Sequence, residues 1–142
     1  IDMATLTGAI LVALGTQACG VFFNDEEVAD DLIKAGEESL EKGWKMPITE
    51  EYREDIKGKE GDIRNTGSAR WGGSGKAAAF LEHFVEEGTK WAHIDLAGPN
   101  GPGNRPGFGA QLILSYLRAK SAQTDSFSQT KFMFFLFRTE QN

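Results

Sequence analysis

The sequence predicts an α/β layered domain with a mainly parallel or mixed sheet. Three observations predict it. Short apolar, strand-like runs alternate with stretches of helical spacing, in the order strand, helix, strand, helix, helix, helix, strand, helix. Glycines cluster in the turns and loops between these runs, where open α/β sheets present main-chain groups to ligands. No internal repeat and no inter-domain linker interrupts the order, and 142 residues suffice for one modest domain with a real core. Residues 1–120 read as one folded unit and 121–142 as a tail.

The chain opens on an apolar, strand-like beginning from Ile1. A small-residue turn, Thr5, Leu6, Thr7 and Gly8, leads into a second apolar run from Ala9 to Leu14. Gly8 has no Cβ, so a ligand could approach the main chain there. The same turn also reads as a plain joint without a ligand, as most such joints are. Residues 20–23 are short, apolar and aromatic, a buried strand. Asn24 then reads as the N-cap of a helix, with Glu27 three residues on in a capping-box-like pair. Ala29, Leu32, Ile33, Gly36 and Leu40 continue at helical spacing, and Gly43 reads as the stop. The carboxylates along this helix are spread by sequence, as on a solvated face.

Trp44, Lys45 and Met46 read as extended, because Pro47 disfavours helix before it. Thr49 is placed to cap a short helix over 50–57 that carries Tyr52 and Ile56 inward. A polar loop over 57–61 and an aperiodic stretch over 62–65 follow. Residues 66–76 are glycine-rich and end Gly75-Lys76, which invites comparison with a phosphate-binding loop. The comparison fails twice: Arg70 stands where the first glycine belongs, and Ala77 where Ser or Thr belongs. A serine nucleophile elbow fails too, since Lys76 follows Gly75. The remaining reading is a close-packed loop with Ser74 capping a helix. That helix would carry Ala77, Phe80, Leu81, Phe84 and Val85 on one face and end at Gly88, leaving His83 exposed.

Residues 90–96 form the best strand. Ala92, Ile94 and Leu96 point one way, and Trp91, His93 and Asp95 the other. His93 and Asp95 therefore share a face, which suits a metal or a general base. With no third candidate nearby in sequence, a satisfied His–Asp contact inside the fold is the preferred reading. A loop over 97–107, rich in Gly and Pro, follows the carboxyl end of this strand and is expected to face a ligand. Gly109, Leu112, Ile113, Tyr116 and Leu117 mark a final amphipathic helix. Residues 121–130 read as polar and low in structure. The run Phe132 to Phe137 is apolar but far short of the ~20 residues a membrane span needs. It reads as packed in a groove or as an exposed tail.

A net charge of −6 argues against nucleic acid and anionic membrane as partners, because both need a basic face. Cys19 is the only cysteine, so neither an intrachain disulfide nor a cysteine-based zinc site is possible. With nothing resembling a signal peptide at the start, these features fit a reducing, cytoplasmic setting.

The strings IDMATLTGAILVALG, CGVFFND, WKMPITEEYRE, DIRNTGSARWGGSGKAAAFLEHFV, KWAHIDLAGP and GFGAQLILSYL follow one another through the chain. In this order and spacing they resemble the leucyl aminopeptidase family, cytosolic enzymes with two metal ions. The resemblance covers Ile1 to about Arg118, and TLTGA with WAHIDLAGP is its most specific part. It implies a three-layer α/β/α fold, here a partial domain lacking its upstream strands. It also implies a metal-dependent exopeptidase that removes the N-terminal residue from a peptide. In the family two divalent ions, zinc or manganese, serve this chemistry, since a metal lowers the pKa of bound water and stabilises an oxyanion. The family's metal ligands and its catalytic lysine and arginine lie upstream of the TLTGA strand. The chain is therefore expected to be a fragment with no catalytic residue and no metal ligand of its own.

By the same resemblance the substrate side carries over. Thr5, Leu6 and Gly8 match the turn that lines the pocket for the first side chain, with the Leu6 carbonyl accepting and the Gly8 N–H donating. Ala97 matches a pocket residue in the loop after the last strand. Asn100 falls near another pocket position that is often apolar, and would make it more polar. The family works as a cytoplasmic homohexamer on peptide substrates. The tail from Ser121 departs from the family's pattern. The alternative is a non-catalytic structural or interaction relative that keeps the fold.

Overall fold

The computed structural model describes residues 1–58, 61–101, 103–104 and 107–139, with the helix backbone alone over 125–139. A four-stranded mixed sheet forms its middle layer. The strands are β1 (Asp2–Ala4), β2 (Cys19–Phe23), β3 (Gly43–Lys45) and β4 (Ala92–Asp95), in the order β1-β4-β2-β3. The β1–β4 and β2–β3 pairs are parallel and the β2–β4 pair is antiparallel. The sheet is thus mixed and mainly parallel, as the alternation of elements predicts. The extended piece before Pro47 contributes β3, and Met46 prolongs its pairing by donating to the Val21 carbonyl at 2.9 Å.

The two faces of the sheet follow from its period of two. Cys19, Val21, Ala92, Ile94 and Leu96 share one face and are buried against Val28 and Leu32 of α2 (Glu26–Ser39) and Leu112 of α5 (Ala110–Thr139). Phe22 lies on the other face in a smaller cluster with Ile10 of α1 (Gly8–Leu14) and Ala78 of α4 (Gly73–Glu82). Phe22 is fully buried, and burial of such a side chain stabilises by roughly 1.5–3 kcal/mol. The short α3 (Glu50–Asp55) is tied to α4 by Arg53, which donates to both carboxylate oxygens of Glu82 at 2.7 and 3.0 Å. Helices on both faces make the three layers.

Several local expectations shift. Asp25, not Asn24, caps α2 by accepting from the Val28 N–H at 3.0 Å. Asn24 instead bonds the start of β4, accepting from Trp91 N–H at 2.7 Å and donating to the Thr89 carbonyl at 2.9 Å. The helix stops at Leu40 in the left-handed region, φ 61°, and Gly43 belongs to β3. A Cβ at Gly43 would press on Val21 at 3.0 Å, so packing accounts for that glycine.

The cap of α4 is Gly72, at φ 66°, a conformation that favours glycine. Ser74 is buried inside the first turn rather than capping it. The buried face of α4 carries Ser74, Gly75, Lys76, Ala78 and Ala79, while Phe84 lies exposed beyond the helix end at Glu82. Small residues face inward because Tyr52 lies against the helix: a Cβ at Gly75 would overlap its ring. The helix therefore ends before Gly88, and His83 is exposed.

The expectation of little structure over 121–130 is also corrected, because α5 runs on through Thr139. No Gly or Pro interrupts residues 110–139, so no local signal stops the helix. The side chains of the Phe-rich run, like Lys59, Glu60, Pro102, Arg105 and Pro106 in the two polar loops, lie outside the described residues. Among the described residues no helix is long and apolar enough to cross a membrane.

Candidate functional site

The ends of β1 and β4 lie side by side, because the two strands run parallel in the register Asp2–His93 and Ala4–Asp95. The turn after β1 and the loop after β4 therefore leave the sheet together, at the carboxyl ends of neighbouring strands. Asp95 joins them. Its side chain is fully buried. Oδ1 accepts from the Leu6 N–H at 3.0 Å, the Thr7 N–H at 3.4 Å and the Ala97 N–H at 3.1 Å. Oδ2 accepts from the Thr7 hydroxyl at 2.7 Å. Thr7 Oγ1 in turn accepts from the Ile10 N–H at 3.1 Å, which makes Thr7 the N-cap of α1. One carboxylate thus sets the turn, starts a helix and anchors the loop.

This brings Thr5, Leu6, Gly8 and Ala97 to one place. Thr5, Leu6 and Gly8 are exposed, and Ala97 packs beside Ile10, Phe22 and Ala78. Gly8 is the first residue of α1, and its N–H is among the amides at a helix start that have no intrahelical acceptor. A Cβ built at Gly8 meets no heavy atom within 4 Å, so packing among the described residues does not require glycine there. Asn100 stands one turn along the same loop. Its side-chain amide accepts from the Phe108 N–H at 3.1 Å and donates to the Phe108 carbonyl at 3.0 Å, so its polar groups brace the loop.

The shared face of His93 and Asp95 is real, but the two do not pair. His93 Nδ1 lies 2.5 Å from Asp2 Oδ1, and Trp91 Nε1 donates to Asp2 Oδ2 at 2.6 Å. The His–Asp contact inside the fold is therefore made across strands to β1. Sequence reasoning missed the role of Asp95 because its partners Leu6 and Thr7 stand 89 and 88 residues away. The only signal was a carboxylate placed on a buried strand face.

Beside the turn runs a groove of about 700 Å³. Leu6 and Thr7, Ala77, Phe80 and Leu81 of α4, and the loop 65–70 all line it. Lys76 also lines it, and its ammonium stands 2.5 Å from Asp55 Oδ2. Lys76, with the Ser68 hydroxyl and N–H, holds the Asp55 carboxyl well below the usual carboxylate range. The glycine-rich stretch is thus organised by a partly buried ion pair, a feature that its local pattern does not announce.

Among the described residues, no three His, Cys, Asp or Glu side chains stand together where an ion could be held. Both oxygens of Asp95 already accept from main-chain or hydroxyl donors.

Residues 1–114 match the family model described as the cytosol aminopeptidase family, catalytic domain. The chain is 46% identical over 125 residues to a probable cytosol aminopeptidase of Chloroherpeton thalassium, a match covering 83% of this chain and 24% of that protein. It is 47% identical over 128 residues to a probable cytosol aminopeptidase of a Geobacter species, covering 84% of this chain and 26% of the relative. Among solved structures it resembles a mutant of tomato leucine aminopeptidase, with a TM-score of 0.76 and 40% identity. That match covers 80% of this chain and 23% of the tomato chain. The chain spans about a quarter of the length of these relatives.

Proposed function

Because this chain belongs to the cytosol aminopeptidase family, we propose that it supplies the substrate-pocket wall of a metal-dependent aminopeptidase. The enzyme would release N-terminal amino acids, of the leucine type, from peptides. In this reading Thr5 and Ala97 line the pocket for the first side chain. The Leu6 carbonyl accepts from the substrate, the Gly8 N–H donates to it, and Asn100 shapes the pocket's edge. The complete enzyme is a cytoplasmic homohexamer whose two divalent ions, zinc or manganese, are held by residues outside this chain.

The observation that carries the reading is the buried Asp95 carboxylate, which bonds the Leu6, Thr7 and Ala97 amides at once. Two segments that the resemblance assigns to one pocket are thereby held within hydrogen-bond reach of a single side chain. The open space above Gly8 supports the same reading, since a peptide main chain needs close approach there.

The test compares this chain with the complete aminopeptidase that contains it, assayed on leucine amide with added manganese or zinc. Metal-dependent turnover is expected from the complete protein and none from this chain alone. Gly8→Val in the complete protein is expected to cut kcat/KM by roughly a hundredfold, because its side chain would displace the substrate. Metal-dependent turnover by this chain alone would overturn the division of labour proposed here. A folded, complete protein with no turnover would leave it a structural relative.

A further inference from the structure

The groove beside the turn has two walls, each pinned by a different carboxylate. Asp95 pins the wall made by Leu6 and Thr7. The other lining segment, residues 65–70, is irregular and belongs to no helix or strand. Its residues are Asn65, Thr66, Gly67, Ser68, Ala69 and Arg70, and none offers a large apolar side chain to bury. Hydrophobic packing therefore contributes little to holding this wall.

Polar contacts hold it instead. Asp55, at the end of α3, accepts from the Ser68 N–H at 3.1 Å and from the Ser68 hydroxyl. Lys76 rises from the first turn of α4 with its side chain 10% exposed. Its ammonium lies 2.5 Å from Asp55 Oδ2 and donates to the Ala69 carbonyl at 3.2 Å. Arg64 donates to the Asp55 carbonyl at 2.7 Å. Gly67 passes directly over the pair. A Cβ there would collide with the Lys76 stem and lie 2.5 Å from Asp55 Oδ2. A partly buried ion pair with further hydrogen bonds fixes geometry better than a fully exposed one.

We propose that Lys76 and Asp55 are a positioning pair for the peptide site: their ion pair fixes the 65–70 segment that lines the groove together with Leu6 and Thr7, and so sets how closely a bound peptide is gripped. The proposal rests on the aminopeptidase reading above. Neither side chain touches reacting atoms in this role; both act through the wall they hold.

The test uses Lys76→Met, the double variant Asp55→Asn with Lys76→Met, and Ser68→Ala. The double variant avoids leaving the Asp55 carboxylate without its cation. Ser68 is exposed, so its truncation does not threaten folding. Amide exchange is measured in this chain, and KM and kcat for a leucyl peptide in the complete enzyme. In both Lys76 variants the Ser68 amide should exchange about tenfold faster or more, while Leu6, Thr7 and Ala97 keep their wild-type rates. KM should rise roughly tenfold with kcat within about twofold, and Ser68→Ala should raise KM less, in the same direction.

Unchanged Ser68 exchange would overturn the clamp. Faster exchange with unchanged KM would overturn its positioning role. Absence of turnover in the unaltered enzyme would overturn the aminopeptidase reading itself, an outcome separable from either because it needs no variant.

Discussion

Asp95 concentrates more of the site's geometry than any other described side chain. It is fully buried and accepts from three main-chain amides and one hydroxyl. Truncation would leave those donors without an acceptor in a dry environment. Asp95→Ala is expected to lower unfolding stability by about 2–4 kcal/mol in urea melts and to speed exchange at Leu6, Thr7 and Ala97. Cys19 answers a different question at the same scale. Burial pushes its thiol from an ordinary 9.0 up to about 12. The folded state thus keeps the thiol proton longer than the unfolded chain does. The resulting stability is complete below pH 9 and is lost as the pH rises towards 12, at up to about 1.4 kcal/mol per pH unit. Urea melts of the parent and of Cys19→Ala between pH 8 and 11 should diverge with that sign. The native thiol should also resist alkylation at pH 8, because the thiolate is the nucleophile.

At the scale of elements, the ends of helices decide most of what departs from the sequence expectation. The stop of α2 is Leu40, at φ 61° and 85% exposed. A residue with a Cβ is strained there, and nothing packs on this one to compensate. Leu40→Gly is expected to stabilise the protein by roughly 0.5–1 kcal/mol, read as a higher urea midpoint at unchanged slope. Glu41 next to it caps a different helix, accepting from the Gly109 and Leu112 amides at 3.0 and 2.8 Å at the start of α5. That pairing spans 68 and 71 residues, so no local motif could suggest it. The shift of the α2 cap from Asn24 to Asp25 has the same origin. Both residues are good caps in isolation. Asn24 is taken by Trp91 and Thr89 across the sheet edge, which leaves the helix to Asp25.

For the whole molecule, the mixed sheet decides which loops meet. Parallel pairing of β1 with β4 puts the exits of both strands at one end, and the turn and loop close on each other there. The antiparallel β2–β4 pair sends the other connections elsewhere. Among the described residues no three His, Cys, Asp or Glu side chains stand together. Adding manganese or zinc to this chain is expected to leave its melting temperature unchanged within about 1 °C. A saturable rise of several degrees would reveal a site, because any ligand of the folded state stabilises it.

Alternation of apolar runs and helical spacing was enough to determine the layered α/β class, a buried strand over 20–23, and the two faces of β4. Those features follow from the period of each element and need no knowledge of its neighbours. The motif strings carried the resemblance to the family and, through it, the expectation that Thr5, Leu6, Gly8 and Ala97 line one pocket. Which carboxylate holds them together was decided only by the tertiary structure, as were the partner of His93, the burial of Lys76 against Asp55, and the caps of α2 and α4. Each of these depends on which polar groups are brought within about 3 Å of one another far along the chain. A local pattern carries no such distance, because a buried donor takes whichever acceptor the packed layers place beside it.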